Sequence, residues 1–356
     1  MFGDYYYNIA RDPLFGATPP SNAAISGAAA GPTATQAFQF RRVDLTYDKD
    51  IAEQFAVRFR LEADQGFTTA PTTGDDLGSG KMGIFVKDAY LKWKGIFAGS
   101  DLIFGIQPSA AFEASEAGWG YRSLEKTIID LRGIVSSRDF GVAVRGKLVG
   151  DGTLGYWILI GNDNGNAPEV NKYKRYEGQV QYKLTKKLVT TVYVDYKDAA
   201  DILNSYTKTS VSNIATTEAV YVGYTDEGKC SVGVEAFNQG TQNAIKDTAA
   251  KRLDKKTALG LSIFGNFTIL SDLAIVARYD VFNPSTTAST KDLLNVTAST
   301  AAGDLARNYI IVGLDYRATK DVSIIPNALY ETYEAPTNGK APGASLSARL
   351  TLFYSF

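Results

Sequence analysis

The last twelve residues, Ser345 to Phe356, constrain the fold more than any other stretch. Leu346, Ala348, Leu350, Leu352, Tyr354 and Phe356 alternate with Ser345, Ser347, Arg349, Thr351 and Ser355. Phe353 is the only large apolar residue in the polar row. Side chains alternate between the two faces of a strand, so this segment is oily on one side and polar on the other. A water-soluble sandwich can bury such a strand. A chain that stops on an aromatic residue, with no polar tail, better fits a closing strand with hydrocarbon outside and water inside.

The same period-two reading divides the chain into sixteen strands, near 1–9, 37–48, 54–64, 83–94, 101–108, 139–149, 153–160, 175–185, 188–197, 217–225, 229–238, 257–265, 272–282, 308–317, 321–331 and 345–356. Their connections alternate in length. Short turns at 48–53, 95–100, 150–152, 185–187, 226–228, 266–271 and 318–320 separate long loops at 10–36, 64–82, 108–138, 161–174, 198–216, 239–256, 283–307 and 332–344. An immunoglobulin-type sandwich has no reason to keep this rhythm, whereas a transmembrane barrel has short turns at one rim and long loops at the other. No composition shift divides the 356 residues, so they read as a single all-β domain, a closed antiparallel barrel.

Charge decides which face is wet. Phe55, Val57, Phe59 and Leu61 form one row and Arg58, Arg60 and Glu62 the other. A basic side chain facing lipid at the midplane costs about 2–4 kcal/mol, so the charged row must turn inward. The same argument turns in Lys92 and Lys94, Arg145 and Lys147, Arg175 through Lys183 at alternate positions, Arg278 and Asp280, and Asp315 and Arg317. Arg41-Arg42 and Lys87-Asp88 break the parity and call for a β-bulge or a position at the rim. Sixteen strands enclose more space than side chains can fill, so the charged rows are expected to line a water-filled hole.

Composition removes other classes. With one cysteine and no histidine, a disulfide framework is impossible and the usual nucleophilic triads are excluded. No catalytic residue, metal or cofactor is expected. The 37 basic and 38 acidic residues nearly cancel, which argues against nucleic acid as a partner. No run approaches the roughly 20 apolar residues of a membrane helix. Met1 opens onto Phe2-Gly3-Asp4-Tyr5 without a basic start or an apolar core, so the chain is expected to begin inside the mature protein.

The connection 108–138 differs from the rest. Ser123 to Gly133 reads as a helix, with Ser123 as cap, Leu124, Ile128 and Leu131 on one face, and Gly133 as stop. Phe112, Trp119, Leu124, Ile128, Ile129, Leu131, Ile134 and Val135 need cover that a loop in water would not give. A loop folded into the lumen buries them and narrows the hole. That places Glu113, Glu116, Arg122, Glu125, Lys126, Asp130 and Arg132 near Arg58, Arg60 and Arg145 as the candidate constriction. The loop is balanced in charge and the wall leans basic, so a weak preference for anions is expected.

Several segments carry a resemblance: Phe40-Arg41-Arg42, Arg60 to Asp64, Val86 to Trp93, Phe104 to Pro108, Tyr121 to Lys126 and Ser137 to Val142. They resemble the phosphate-selective porin O and P family, most firmly over 38–148. The terminal aromatic strand likewise resembles the assembly signal of bacterial outer-membrane barrels. The resemblance implies a trimeric porin in the outer membrane of a Gram-negative bacterium, among lipid and lipopolysaccharide, with Arg122, Lys126 and Arg132 at the eyelet. Phosphate-specific members line theirs heavily with Arg and Lys, whereas this loop also carries four acids. Passive diffusion of small hydrophilic solutes is the function expected. The alternative is a structural barrel whose external loops bind another surface component.

Overall fold

A computed structural model describes residues 1–12, 33–64, 83–247, 250–286, 305–335 and 341–356. In chain order the strands are β1 (Phe2–Ala10), β2 (Gln36–Asp50), β3 (Phe55–Asp64), β4 (Gly83–Phe97) and β5 (Ser100–Pro108). Two short helices follow, α1 (Glu113–Trp119) and α2 (Ile128–Leu131). Then come β6 (Arg138–Lys147), β7 (Leu154–Gly161), β8 (Arg175–Lys183), β9 (Leu188–Lys197) and the two-residue pair β10 (Ile202–Leu203) and β11 (Ser210–Val211). The chain continues with β12 (Ala215–Asp226), β13 (Cys230–Asp247), β14 (Arg252–Leu270), β15 (Leu273–Asn283), β16 (Arg307–Thr319), β17 (Val322–Tyr333) and β18 (Ser345–Tyr354). All but β10 and β11 join one closed antiparallel barrel of sixteen strands. The terminal strand closes it: β18 pairs with β1 from Phe2 opposite Phe353 to Ala10 opposite Leu346.

Alternation sets the two faces as expected. Ile158, Val192, Val220, Ile263, Ile275, Ile310 and Leu350 are exposed on the outside, while their neighbours Trp157, Tyr193, Tyr221, Phe264, Val276, Ile311 and Arg349 are buried. In a closed barrel the exposed apolar rows form a belt suited to contact with hydrocarbon.

Both breaks in parity are bulges. Phe2 faces Arg42 and Gly3 faces Phe40, so Arg41 is an extra residue on β2. The bulge brings backbone so close that a Cβ on Gly3 would meet the Gln39 carbonyl oxygen at 2.6 Å. Arg60 faces Asp88 and Leu61 faces Val86, so Lys87 is extra on β4. The bulged residue takes no place in the ladder, and adjacent charges can both turn inward. Arg41 reaches Asp4 and Glu125, Arg42 reaches Glu62, Lys87 reaches Glu62, and Asp88 holds Arg138.

Two expectations fail. The sequence reads as a long loop over 239–256, yet β13 runs on to Asp247 and β14 begins at Arg252, forming a tall hairpin. Its polar sequence conceals it, because a ribbon standing clear of the membrane needs no apolar row; Ile245 opposite Asp254 continues the ladder past a register shift. The helix 123–133 is also not formed as such. Only the single turn of α2 is helical there, and α1 lies earlier in the chain. The carbonyls of Ser123 and Leu124 accept from Arg41 at 2.9 and 2.8 Å, and that of Lys126 accepts from Arg278. Wall arginines thus take the acceptors that a continuous helix would have used.

Candidate functional site

The connection between β5 and β6 packs on the buried face of the wall. Phe112, Ile128, Ile129, Ile134 and Val135 join Ile103, Trp157, Leu159, Tyr193, Phe237 and Phe282 in one apolar cluster. Trp119, Tyr121 and Leu124 join Tyr6, Tyr221, Phe264, Val276, Tyr309, Ile311, Ile325 and Leu329 in a second. The buried face of β12–β17 is therefore apolar where the connection rests on it, and the apolar residues of 108–138 that need cover find it there.

Polar contacts add to this packing. Tyr121 donates to Asp315 at 3.0 Å, Arg132 to Glu331 at 2.9 Å, and Gln239 to the Ile134 carbonyl at 3.0 Å. Gly118 sits so tightly that a Cβ would meet the Tyr221 hydroxyl at 1.9 Å. Burial and the neighbouring Asp315 push the Tyr121 phenol up to about 12. Burial would raise Glu125, but Arg41, Arg349 and the Lys126 N–H outweigh it and hold that carboxyl below the ordinary glutamate range.

The ten residues singled out from the sequence fall into four places. Arg60, Glu116, Arg122 and Asp130 line a cavity of about 610 Å³ between the connection and the wall of β2–β4 and β16–β18. Glu113 and Arg145 line a second cavity of about 600 Å³ beside β6–β8, where Arg145 also lies 4.5 Å above the Trp157 ring. Arg58 belongs to neither; it pairs with Asp48 at 2.7 Å in a recess beside Tyr90, Lys92 and Lys94. Glu125 and Arg132 are buried against the wall, and Lys126 reaches Asp130 at 3.6 Å. A smaller recess of about 250 Å³ adjoins both cavities, sharing Glu116 and Arg138 with the first and Glu113 with the second.

The first cavity also contains residues that were not singled out: Arg42, Asp44, Lys87, Arg138, Asp315 and Arg317. Arg42 and Lys87 had a signal, since each belongs to a parity break that a bulge resolves inward. Arg138 had none beyond ending the connection. Every cationic side chain here has a carboxylate at short range, although Arg42 and Lys87 share that of Glu62. Arg42 pairs with Glu62 at 3.2 Å, Arg60 with Asp44 at 2.9 Å, Lys87 with Glu62 at 3.4 Å, Arg122 with Glu116 at 3.0 Å and Arg317 with Asp315 at 3.2 Å. Arg138 is held by Asp88. The second cavity differs. Arg145 pairs with Glu113 at 3.2 Å, but among the described residues Lys147, Lys183 and Lys186 have no carboxylate within 4.0 Å, and Asp101 and Asp151, which line the same cavity, have no cation within that distance. No group of three or more His, Cys, Asp or Glu able to hold a metal occurs among the described residues.

No protein-family model and no curated protein sequence matches the chain. Solved structures do. The outer membrane channel DcaP of Acinetobacter baumannii superposes with a TM-score of 0.68 at 14% identity, over 100% of this chain and 95% of that one. The fold is that of the outer-membrane porins. An anion-selective porin from Comamonas acidovorans gives a TM-score of 0.59 at 12% identity, over 100% of this chain and 98% of that one. OprB of Pseudomonas putida gives 0.59 at 10%, over 100% and 92%. At these identities the likeness is one of architecture, and the porin fold carries no solute with it.

Proposed function

We propose that this barrel is a passive porin of a Gram-negative outer membrane, admitting small hydrophilic solutes and ions with a weak preference for anions. In this reading the connection 109–137 lies across the lumen and narrows it, with Arg60, Glu113, Glu116, Arg122, Asp130 and Arg145 at the edges of the remaining space. Arg58 belongs to a vestibule away from the connection. Glu125, Lys126 and Arg132 act by holding the connection in place. The observation that carries the reading is the pairing of charges. A cavity whose cationic side chains all have carboxylates offers little net field, while in the other, three unpaired lysines outnumber two unpaired acids, Asp101 and Asp151, and leave a slight positive surplus. The same pairing speaks against a dedicated phosphate eyelet, the finer function implied by the sequence resemblance. A homotrimer fits the resemblance and the porin fold.

Planar-bilayer recording tests this. Unit conductance steps are expected, and under a KCl gradient the reversal potential should favour chloride slightly. A cation-favouring potential would reject the anion preference. A barrel without steps would favour the structural alternative, to which the two apolar clusters filling part of the interior lend support.

A further inference from the structure

We infer that Glu177 on β8 and Glu235 on β13 are positioning residues that seat α1 and so fix the aperture, an inference that rests on 109–137 forming the constriction. Both are buried, at 3% and 1% exposure. Other buried carboxylates near the connection come with a cation: Asp4 with Arg41, Asp88 with Arg138, Asp195 with Arg175, Asp280 with Arg278 and Glu331 with Arg132. Glu177 and Glu235 have none within 4.0 Å among the described residues. Asp139 is a further exception, and it serves the backbone at the head of β6, accepting from the N–H groups of Phe140 and Asp163.

A buried carboxylate without a cation is costly, so what it accepts matters. One oxygen of Glu177 accepts from the Ser109 hydroxyl and the Ala110 N–H, both at 3.0 Å, and Ser109 in turn accepts from the Ala111 N–H at 3.1 Å. Three consecutive residues on the approach to α1 therefore hang from a single wall atom. Glu235 accepts from the Ser115 hydroxyl at 2.5 Å in the first turn of α1. Ser231, on the same strand, donates to the Gly118 carbonyl at 2.6 Å in the last turn. Carboxylate oxygens are the strongest acceptors a side chain offers to such donors. The other side of α1 presents Glu113 and Glu116 to the two cavities, and each carries an arginine. Fixing the helix on β8 and β13 thus fixes both acids and the space beside them.

The test is single-channel recording of Glu177→Leu and Glu235→Leu, with Ser109→Ala and Ser115→Ala removing the donors from the other side. Variants that keep the heat-modifiable migration of a folded barrel are expected to show unit conductance raised roughly two-fold, with flicker between levels, as α1 loosens. Glu235→Gln keeps an acceptor and should return to the wild-type level. Glu235→Leu combined with Ser115→Ala should do no more than Glu235→Leu alone. If the leucine variants fail to fold, the serine variants decide the matter, since they leave the wall intact. Unchanged conductance in folded Ser115→Ala and Ser109→Ala overturns the inference. A wild-type protein that gives no steps overturns the channel reading itself, and this inference with it.

Discussion

Single residues show how closely the connection is fitted to the wall. Gly118 has its backbone against the Tyr221 hydroxyl, and a Cβ there would lie 1.9 Å from that oxygen. Gly118→Ala should destabilise the folded barrel by about 1–3 kcal/mol, as overpacking does. The readout is the midpoint of urea unfolding in detergent. Tyr221→Phe in the same chain should restore part of the loss, because the ring carbon Cζ would still be only 3.0 Å away. Glu125 gives a prediction in pH. Its carboxyl is held below the ordinary range by Arg41 and Arg349 against the opposing effect of burial. The sign follows from linkage: a depressed folded-state value adds stability that is fully present above the unfolded value of about 4.3 and is lost as pH falls through the lower folded value. Unfolding midpoints should therefore be insensitive to this group from about pH 8 to pH 5, and Glu125→Gln should be less stable than wild type throughout that range. A variant of equal stability at neutral pH would show that the ionised form adds nothing.

Strands were legible where one face meets lipid. All sixteen barrel strands overlap a period-two segment, because a charge on the outer face is costly and the alternation therefore stays strict. Legibility failed where that constraint lapses. The tops of β13 and β14, such as Lys246 and Lys255, carry polar residues and look like loop. In 109–137 the pattern of Leu124, Ile128 and Leu131 was visible, but the arginines of distant strands that claim the backbone carbonyls were not. Bulges lie between these cases: the sequence marks the place without choosing between bulge and rim. They yield an asymmetric prediction. Lys87 is outside the ladder, so deleting it leaves Arg60 opposite Asp88 and Leu61 opposite Val86, and the barrel should still fold. Deleting Ala89, two residues on, forces Asp88 onto the lipid face and strips it from Arg138 and Arg60. Breaking a buried pair costs about 3–5 kcal/mol, so the yield of heat-modifiable folded protein should collapse for that deletion. Equal yields for the two deletions would mean Lys87 is not the bulged residue.

At the scale of the whole barrel, what matters is which charges survive pairing. An ion pair at about 3 Å acts on a passing ion as a short dipole, and its field is screened within a Debye length of about 10 Å at 0.1 M salt. Arg42, Arg60, Lys87, Arg122, Arg138 and Arg317 are all of this kind. Lys147, Lys183 and Lys186 are single charges facing the second cavity and outnumber the two single acids there, Asp101 and Asp151, so they should set the sign of selectivity although they lie outside the connection. Replacing all three with Gln should move the reversal potential under a KCl gradient cationward, further than Arg122→Ala does. Arg122→Ala removes one cation, frees Glu116 and leaves Asp130 to Lys126 alone, so it too should move the potential cationward. The shift from the lysines should fade at 1 M salt, where the Debye length falls to about 3 Å. A triple variant with an unchanged potential, beside a large effect of Arg122→Ala, would place the selectivity in the connection instead of in the wall of β6–β8.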